Sequence, residues 1–396
     1  MRITEGLNQT QFLTAINALE SGINQTQNQM STGLQFTTAS QNPTAAGSVN
    51  NYTQALAQSQ QYVTNATSAQ TNLSTEDNAL SQVQTQLQAL RTLALQANSG
   101  TLSNSNLSAI ATQAVQIQNS LLALANTQNG NGEYIFGGFA AQTQPFTLSA
   151  AGAAYNGDQG QRQVQIAAGQ TVADGDNGDT VFNQIKTGNG TFTVAAAAGN
   201  SGSGIVGATT LSNPAAYDGG TYAITFGAAG AYQVTKGATV VATGSYTDGG
   251  TIAFNGVQVT LSGQPASGDS FSLAPSTNQS VFTTVQNLVS ALQTGVSGGA
   301  SATALNNSIN SAINNIDQAL SQTSNVRATV GGRLNSITTQ QSVATAAQTQ
   351  LQQSISTLQS LDFAKAITTL DQQNTTLSAA LQAFTLTQGL SLFKFM

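Results

Sequence analysis

The apolar residues near both chain ends recur at alternating spacings of four and three residues. This spacing places them along one stripe of an α-helix and is typical of helices that pack side by side. Near the N-terminus the stripe comprises Phe12, Ile16, Leu19, Ile23, Thr26 and Met30. Two further stripes, over residues 73–97 and 107–124, are separated by Asn98, Ser99 and Gly100 and predict a helical hairpin.

The C-terminal part of the chain carries the same pattern. One stripe from Leu305 to Leu358 predicts a single very long helix. A second stripe comprises Phe363, Ile367, Leu370, Asn374, Leu377, Leu381 and Phe384. The register slips between the two stripes, so we expect a bend near Leu361 and Asp362.

Residues 141–280 follow a different pattern and hold 23 of the 38 glycines. β-Branched and aromatic residues alternate with polar ones in short runs, which is typical of antiparallel strands joined by Gly-rich turns. The clearest runs lie at 190–194, 221–226, 231–234, 239–242, 251–254 and 257–261. Asn255 and Gly256, between the last two runs, are a strong signal for a two-residue hairpin.

Together the patterns predict an α+β multidomain chain. We expect a long antiparallel α-helical coiled coil or bundle made from both chain ends, with an antiparallel β domain inserted between them. The expected division is into terminal assembly helices at 1–45 and 350–396, a helical core domain from 46–140 and 280–349, a β-hairpin region of that core at 141–190, and an outer β domain at 191–279.

Charge is scarce along the whole chain. The 396 residues include nine Lys and Arg and 15 Asp and Glu, and Cys, His and Trp are absent. Without thiolates or imidazoles there is no zinc site built on sulfur or imidazole and no Ser-His-Asp triad, so we expect no enzyme, no metal and no cofactor. So few cations also argue against nucleic-acid binding, because affinity for nucleic acid depends on neutralising phosphates.

The residues beside the helical stripes are Gln, Asn, Ser and Thr rather than the Glu and Lys of most coiled coils. Such helices can pack against other subunits without desolvating ions. The first residues lack the basic and apolar stretches of a cleavable signal peptide, and no apolar run is long enough to insert into a membrane. If the protein leaves the cell, we expect another export route.

Three short motifs suggest chemistry but fit it poorly. Residues 202–207 have the spacing of a dinucleotide-binding loop without a following amphipathic helix, so we expect a flexible loop between strands. Residues 174–179 resemble a calcium loop but lack its turn glycine and bidentate Glu, so we expect a turn with incidental acidity. Glu76 and Asp77 are expected early in a helix, where negative charge suits the helix dipole.

Several segments resemble the signatures of the bacterial flagellin superfamily. They are residues 30–34 and 40–47 near the N-terminus and 332–337 near the C-terminus. Within the superfamily the chain is most similar to the hook-filament junction family, also called flagellar hook-associated protein 3. The segments that resemble this family are 1–4, 133–139, 155–166, 361–364, 377–384 and 390–393.

The resemblance implies a secreted, extracellular structural subunit that joins the flagellar hook to the filament. Its implied partners are further copies of itself, the first hook-associated protein, flagellin and an export chaperone, and its implied route is flagellar type III export. The residues that we expect at the inner helical interface of the assembly are Phe12, Ile16, Leu19, Ile23, Met30, Ile367, Leu370, Leu377, Leu381, Phe384, Leu390 and Phe393.

Two alternatives remain open at this stage. The chain could be a flagellin-type subunit of the filament itself. It could also be a helical stalk that displays a glycan-binding or adhesin β domain, with Tyr217, Tyr222 and Tyr232 on the binding surface. For these tyrosines we favour a place within the sheet.

Overall fold

The structure is a computed structural model that describes residues 2–99, 102–149, 152–298 and 301–389. The helices in these ranges are α1 (Arg2–Thr32), α2 (Pro43–Ala97), α3 (Asn104–Ala125), α4 (Val281–Val296), α5 (Ala302–Gln359) and α6 (Phe363–Gly389). The strands are β1 (Phe146–Ser149), β2 (Gly152–Tyr155), β3 (Gln163–Ala167), β4 (Gln170–Ala173), β5 (Ile185–Lys186), β6 (Phe192–Ala196), β7 (Ile205–Leu211), β8 (Tyr222–Phe226), β9 (Ala231–Lys236), β10 (Thr239–Ser245), β11 (Thr251–Phe254), β12 (Val257–Ser262), β13 (Ser270–Pro275) and β14 (Asn278–Gln279).

The expected fold class is confirmed: the two terminal helices pack on each other, and antiparallel sheets are inserted between the helical parts of the chain. By contact the chain forms two compact units, one from residues 1–64 and 340–396 and the other from 65–339. The long helices α2 and α5 each contribute to both units.

Local signals explain where the long helices begin and end. The side chain of Asn42 accepts a hydrogen bond from the backbone N–H of Ala45 at 3.1 Å, and Pro43 occupies the first helical position of α2. Because of these signals α2 begins well before the apolar stripe from which it was predicted. The expected bend near Leu361 is present. There α5 ends, and the N–H of Leu361 donates to the carbonyl of Gly33 at 2.9 Å.

An aromatic cluster joins the helices of the 65–339 unit to its small strands. Phe146 is fully buried and packs with ring centroids 5.4 Å from Phe182 and 5.2 Å from Phe282. Phe136 packs edge-on against Phe182 at 5.1 Å. These rings come from three different parts of the sequence. They belong to the same hydrophobic core as the buried residues of α2, α3, α4 and α5.

The inserted β domain has its own core between two antiparallel sheets. Their strand orders are β10-β9-β8-β13-β6 and β11-β12-β7. The predicted hairpin is confirmed: Asn255 (φ 42°) and Gly256 (φ 74°) adopt the left-handed conformation that a tight turn between β11 and β12 requires.

The prediction of a flexible loop at 202–207 is wrong for its last residues. Ile205 begins β7, which pairs with β12, and Val206 is buried. The backbone of Val206 is also held by two side chains of α5, since its N–H donates to Asn307 at 2.8 Å and its carbonyl accepts from Asn310 at 2.9 Å. These partners are remote in sequence, and the flanking glycines obscure the strand pattern.

Candidate functional site

The predicted interface residues have very different exposures in the paired terminal helices. Ile16 and Ile23 are buried, whereas Ile367 and Leu381 are 48 % and 45 % exposed. Half-buried positions are Phe12, Leu19, Met30, Leu370, Leu377 and Phe384. Leu390 and Phe393 lie outside the described residues.

The stripe predicted along α6 divides between two adjacent faces. On the covered face Ala366 is buried, and Gln373 accepts a hydrogen bond from the hydroxyl of Thr26 on α1 at 3.1 Å. The rings of Phe12 and Phe384 lie 6.1 Å apart on this side. Phe363, Ile367 and Leu381 line the neighbouring face and are exposed, because α1 alone does not cover a stripe this wide.

The first helix also exposes apolar side chains. The large apolar residues of α1 and α6 that stay exposed are called the exposed apolar set. They are Leu7, Leu13, Phe363, Ile367, Leu381 and Leu386. Scattered exposed apolar residues are normal, but an apolar set on paired helices with few charges is typical of a protein-protein contact surface. None of the described helices contains a stretch long and apolar enough to cross a lipid bilayer.

Two ion pairs in the 65–339 unit join its long helices. Arg91 pairs with Asp317 at 2.6 Å and Arg327 pairs with Asp77 at 2.9 Å, and both pairs join α2 to α5. The expectation that Asp77 serves a helix dipole is therefore wrong, because it lies in the middle of α2 and binds a guanidinium.

Glu76 also lies in the middle of α2, so the same expectation is wrong for this residue. Its side chain is fully buried, and Asp176 is the polar residue beside its carboxyl group. Burial raises the pKa of the Glu76 carboxyl well above its ordinary value, the nearby charge of Asp176 raises it further, and Arg333 lowers it in part.

The acidity of residues 174–179 is structural rather than incidental, which corrects the sequence interpretation. Asp174 is buried and accepts from Arg162 at 2.7 Å. Both oxygens of Asp176 accept from Arg333 of α5 at 2.9 Å. Within the described ranges no group of three or more acidic side chains is arranged to hold a metal ion.

Replacing Glu76 by Gln is expected to change how stability depends on pH. Because the folded-state pKa of Glu76 is raised, the contribution of this group to the unfolding free energy should be highest below the ordinary value of 4.5 and fall as pH rises toward the folded-state pKa. Glu76→Gln removes this decrease and should be more stable by roughly 1–3 kcal/mol at alkaline pH. Urea denaturation across a pH series measures the difference.

The matched control for this experiment is Glu20→Gln. Glu20 is exposed on α1, so the substitution changes the net charge equally without removing a buried carboxylate. Its effect on stability should be small at every pH. A Glu76→Gln effect that does not vary with pH would contradict the prediction.

The three tyrosines considered for glycan binding do not form an exposed platform. Tyr222 is buried in β8, and its hydroxyl donates to Asp218 at 2.6 Å. Tyr232 is half-buried in β9, and Tyr217 packs its ring 5.8 Å from that of Phe192. The expected place within the sheet is confirmed for Tyr222 and Tyr232 and is wrong for Tyr217, which lies between β7 and β8.

Models of known families match three segments of the chain. Residues 3–141 match the bacterial flagellin N-terminal helical region, and residues 313–396 match the bacterial flagellin C-terminal helical region. Residues 195–275 match the D2-like domain of flagellar hook-associated protein 1.

Two curated relatives carry the name flagellar hook-associated protein 3. The protein from Salmonella typhimurium is 34 % identical over 185 residues, which are 47 % of this chain and 58 % of the relative. The protein from Escherichia coli is 36 % identical over 157 residues, 40 % of this chain and 49 % of the relative. The matches thus span about half the length of these relatives.

Solved structures match over a larger part of the chain. FlgL from Xanthomonas campestris is 33 % identical with a TM-score of 0.72, and the match covers 77 % of this chain and 99 % of that one. The flagellar hook-associated protein-3 from Legionella pneumophila is 30 % identical with a TM-score of 0.71, and the match covers 78 % and 98 %.

Paired terminal helices with flagellin-type sequences at both ends and an inserted β domain define a flagellin-type structural protein. Within that class the chain belongs to the family of flagellar hook-associated protein 3. The resemblance found in the sequence is thereby confirmed.

Proposed function

We propose that the protein is a structural subunit of the bacterial flagellum that forms the junction layer between the hook and the flagellin filament, without catalytic activity. The observation that carries this proposal is the exposed apolar set on the paired terminal helices. Members of the matched family are named for association with the hook, and one solved relative is described as a flagellar junction protein.

The terminal helices are suited to burial on more than one side. Burying one Leu, Ile or Phe side chain contributes ~1.5–3 kcal/mol, so the six side chains of the exposed apolar set supply a substantial driving force for association. Few charged residues would have to be desolvated in this association. Glu20 is the single charged residue between positions 6 and 32, and α6 carries only Lys365 and Asp371.

In the proposed assembly, the terminal assembly helices at 1–45 and 350–396 form the inner interface. The twelve interface residues named from the sequence contribute to it, some within the subunit and others, such as Ile367 and Leu381, between subunits. The distribution of α6 side chains over a covered and an exposed face supports this division of roles.

The proposed partners are further copies of the protein, the first hook-associated protein on the hook side and flagellin on the filament side. The match of residues 195–275 to a domain of flagellar hook-associated protein 1 supports a relationship to the hook-side neighbour. Export proceeds by the flagellar type III route with a chaperone, and the mature location is extracellular.

A flagellin-type filament subunit is the second candidate, because the family models that match both chain ends are named for bacterial flagellin. The two candidates differ in self-assembly. A filament subunit polymerises alone into long filaments, whereas a junction subunit forms a limited layer.

Deletion of the gene followed by electron microscopy tests the junction role. We expect cells that keep their hooks, lack filaments and release flagellin into the medium, because the filament has no layer on which to start. Complementation with the full chain should restore filaments. Intact filaments on the deletion strain would contradict the proposal.

A further inference from the structure

The inserted β domain and the helical part of the 65–339 unit have separate hydrophobic cores. Among the described residues, the buried side chains of the β domain form one cluster, and those of the helices and small strands form another. Domains of one chain that do not share a large apolar interface are expected to move relative to each other. The orientation of the β domain therefore depends on the polar contacts that join it to the helices.

The clearest of these contacts lies at the edge of a sheet. In its sheet β7 has β12 on one side, so its other edge presents backbone groups without a strand to pair with. The side chain of Asn307 on α5 accepts a hydrogen bond from the N–H of Val206 at 2.8 Å and donates one to the carbonyl of Gly204 at 3.0 Å. These are the two hydrogen bonds that one residue of a parallel strand would make here, so the amide of Asn307 takes the place of a neighbouring strand.

Asn310, three residues further along α5, extends this contact. Its Nδ2 donates to the carbonyl of Val206 at 2.9 Å, and its Oδ1 accepts from Nδ2 of Asn98, just after the end of α2, at 2.9 Å. The edge of β7 is thus connected through α5 to a second helix. Asn is a weak helix former, and these hydrogen bonds give a physical reason for its presence at both positions of α5.

The chain passes between the two parts through a short neck formed by β5 and β14. These strands pair two residues with two, and next to them the N–H of Thr187 donates to the carbonyl of Thr277 at 3.0 Å. Asn315 of α5 accepts the N–H of Gly188 at 2.8 Å. The neck fixes where the chain crosses, but a two-stranded ribbon can twist about its length and does not by itself set the angle of the domain.

We propose that Asn307 and Asn310 form a polar latch that fixes the β domain on α5, and that the domain turns about the β5–β14 neck when the latch opens. Water can replace the hydrogen bonds of the latch, so opening exposes no apolar core. Because each part keeps its own core, opening changes the orientation of the β domain and not its fold. This proposal does not rest on the proposed function in the flagellum.

Spin labels on the purified full chain measure the orientation by double electron-electron resonance. The chain has no Cys, so the pair Thr112→Cys on α3 and Thr243→Cys on β10 provides the attachment points, and both positions are exposed. With the latch intact, we expect one narrow distribution of distances between the labels. A broad distribution in this chain would overturn the proposal.

The latch is opened by the double variant Asn307→Asp and Asn310→Asp. The side chains keep their shape, but carboxylate oxygens now face the carbonyls of Gly204 and Val206 and cannot donate to them. The distance distribution should widen at least about twofold, because two donors of the latch are lost. An unchanged narrow distribution would contradict the role of the two asparagines.

Asn325→Asp with Asn335→Asp is the matched control. Both residues are exposed on the same helix, so the variant adds the same charge to α5 away from β7 and should keep the narrow distribution. A second label pair, Thr112→Cys with Ser324→Cys, lies entirely on the helices. Its distance should be the same in every variant, and a change would show that the helical part itself is altered.

Hydrogen exchange distinguishes an open latch from an unfolded β domain. In the double variant the N–H of Val206 should exchange at least about tenfold faster, whereas that of Val259 in the central strand β12 should stay protected. Asn310→Asp alone removes one donor and provides a milder variant with the same expected direction. Equal loss of protection at Val206 and Val259 would show that the asparagines maintain the fold rather than the orientation, and would overturn the proposal.

Discussion

Replacing Leu381 by Glu is expected to abolish incorporation of the protein into flagella while the isolated chain stays folded. Leu381 belongs to the exposed apolar set, so the monomer does not depend on its burial. In the proposed assembly the same side chain is buried between subunits, where an unpaired charge costs several kcal/mol. Electron microscopy of a deletion strain that expresses the variant measures incorporation, and circular dichroism of the purified chain checks the fold.

The control is Gln372→Glu on the same helix. By helical periodicity Gln372 lies on the side of α6 opposite Leu381, and it is exposed. The substitution adds the same charge away from the apolar face, so filaments should still form. Normal filaments with Leu381→Glu would remove the exposed face of α6 from the proposed interface.

The largest loss of stability is expected from Phe282→Ala. Phe282 is fully buried on α4, and its ring centroid lies 5.2 Å from Phe146 and 6.1 Å from Phe182. Removing it leaves a cavity where α4 meets the small strands, and such substitutions cost about 3–5 kcal/mol. Urea denaturation should show a lower midpoint with an unchanged slope.

Phe139→Ala is the same substitution at an exposed position and should change the unfolding free energy by no more than about 0.5 kcal/mol. A similar effect of the two substitutions would show that the aromatic cluster does not hold this part of the fold together.

Elements with periodic burial could be predicted from the sequence. The four-and-three spacing predicts the long helix α5, the bend after it and α6, and Asn255-Gly256 predicts the hairpin of β11 and β12. These features depend on residues that are neighbours in sequence. The first half of α2 escapes the apolar count, because its buried face consists of small residues such as Ala66 and Ala69.

Features that depend on distant partners could not be predicted in this way. Strand β13 lies between β8 and β6, and β7 is held by β12 and by side chains of α5. Asp77 finds its partner Arg327 across 250 positions of the chain. Nothing adjacent to these residues in the sequence indicates the pairing.

The sequence by itself determined the class of fold, the pairing of the two chain ends and the family, because hydrophobic periodicity and local motifs depend on residues that are close together in the chain. The tertiary structure alone decided which face of α6 is covered, since a stripe of apolar residues defines a surface but not the helix that packs on it. It also decided that Glu76 is buried beside Asp176 and Arg333, because burial and charge partners come from segments far apart in the chain.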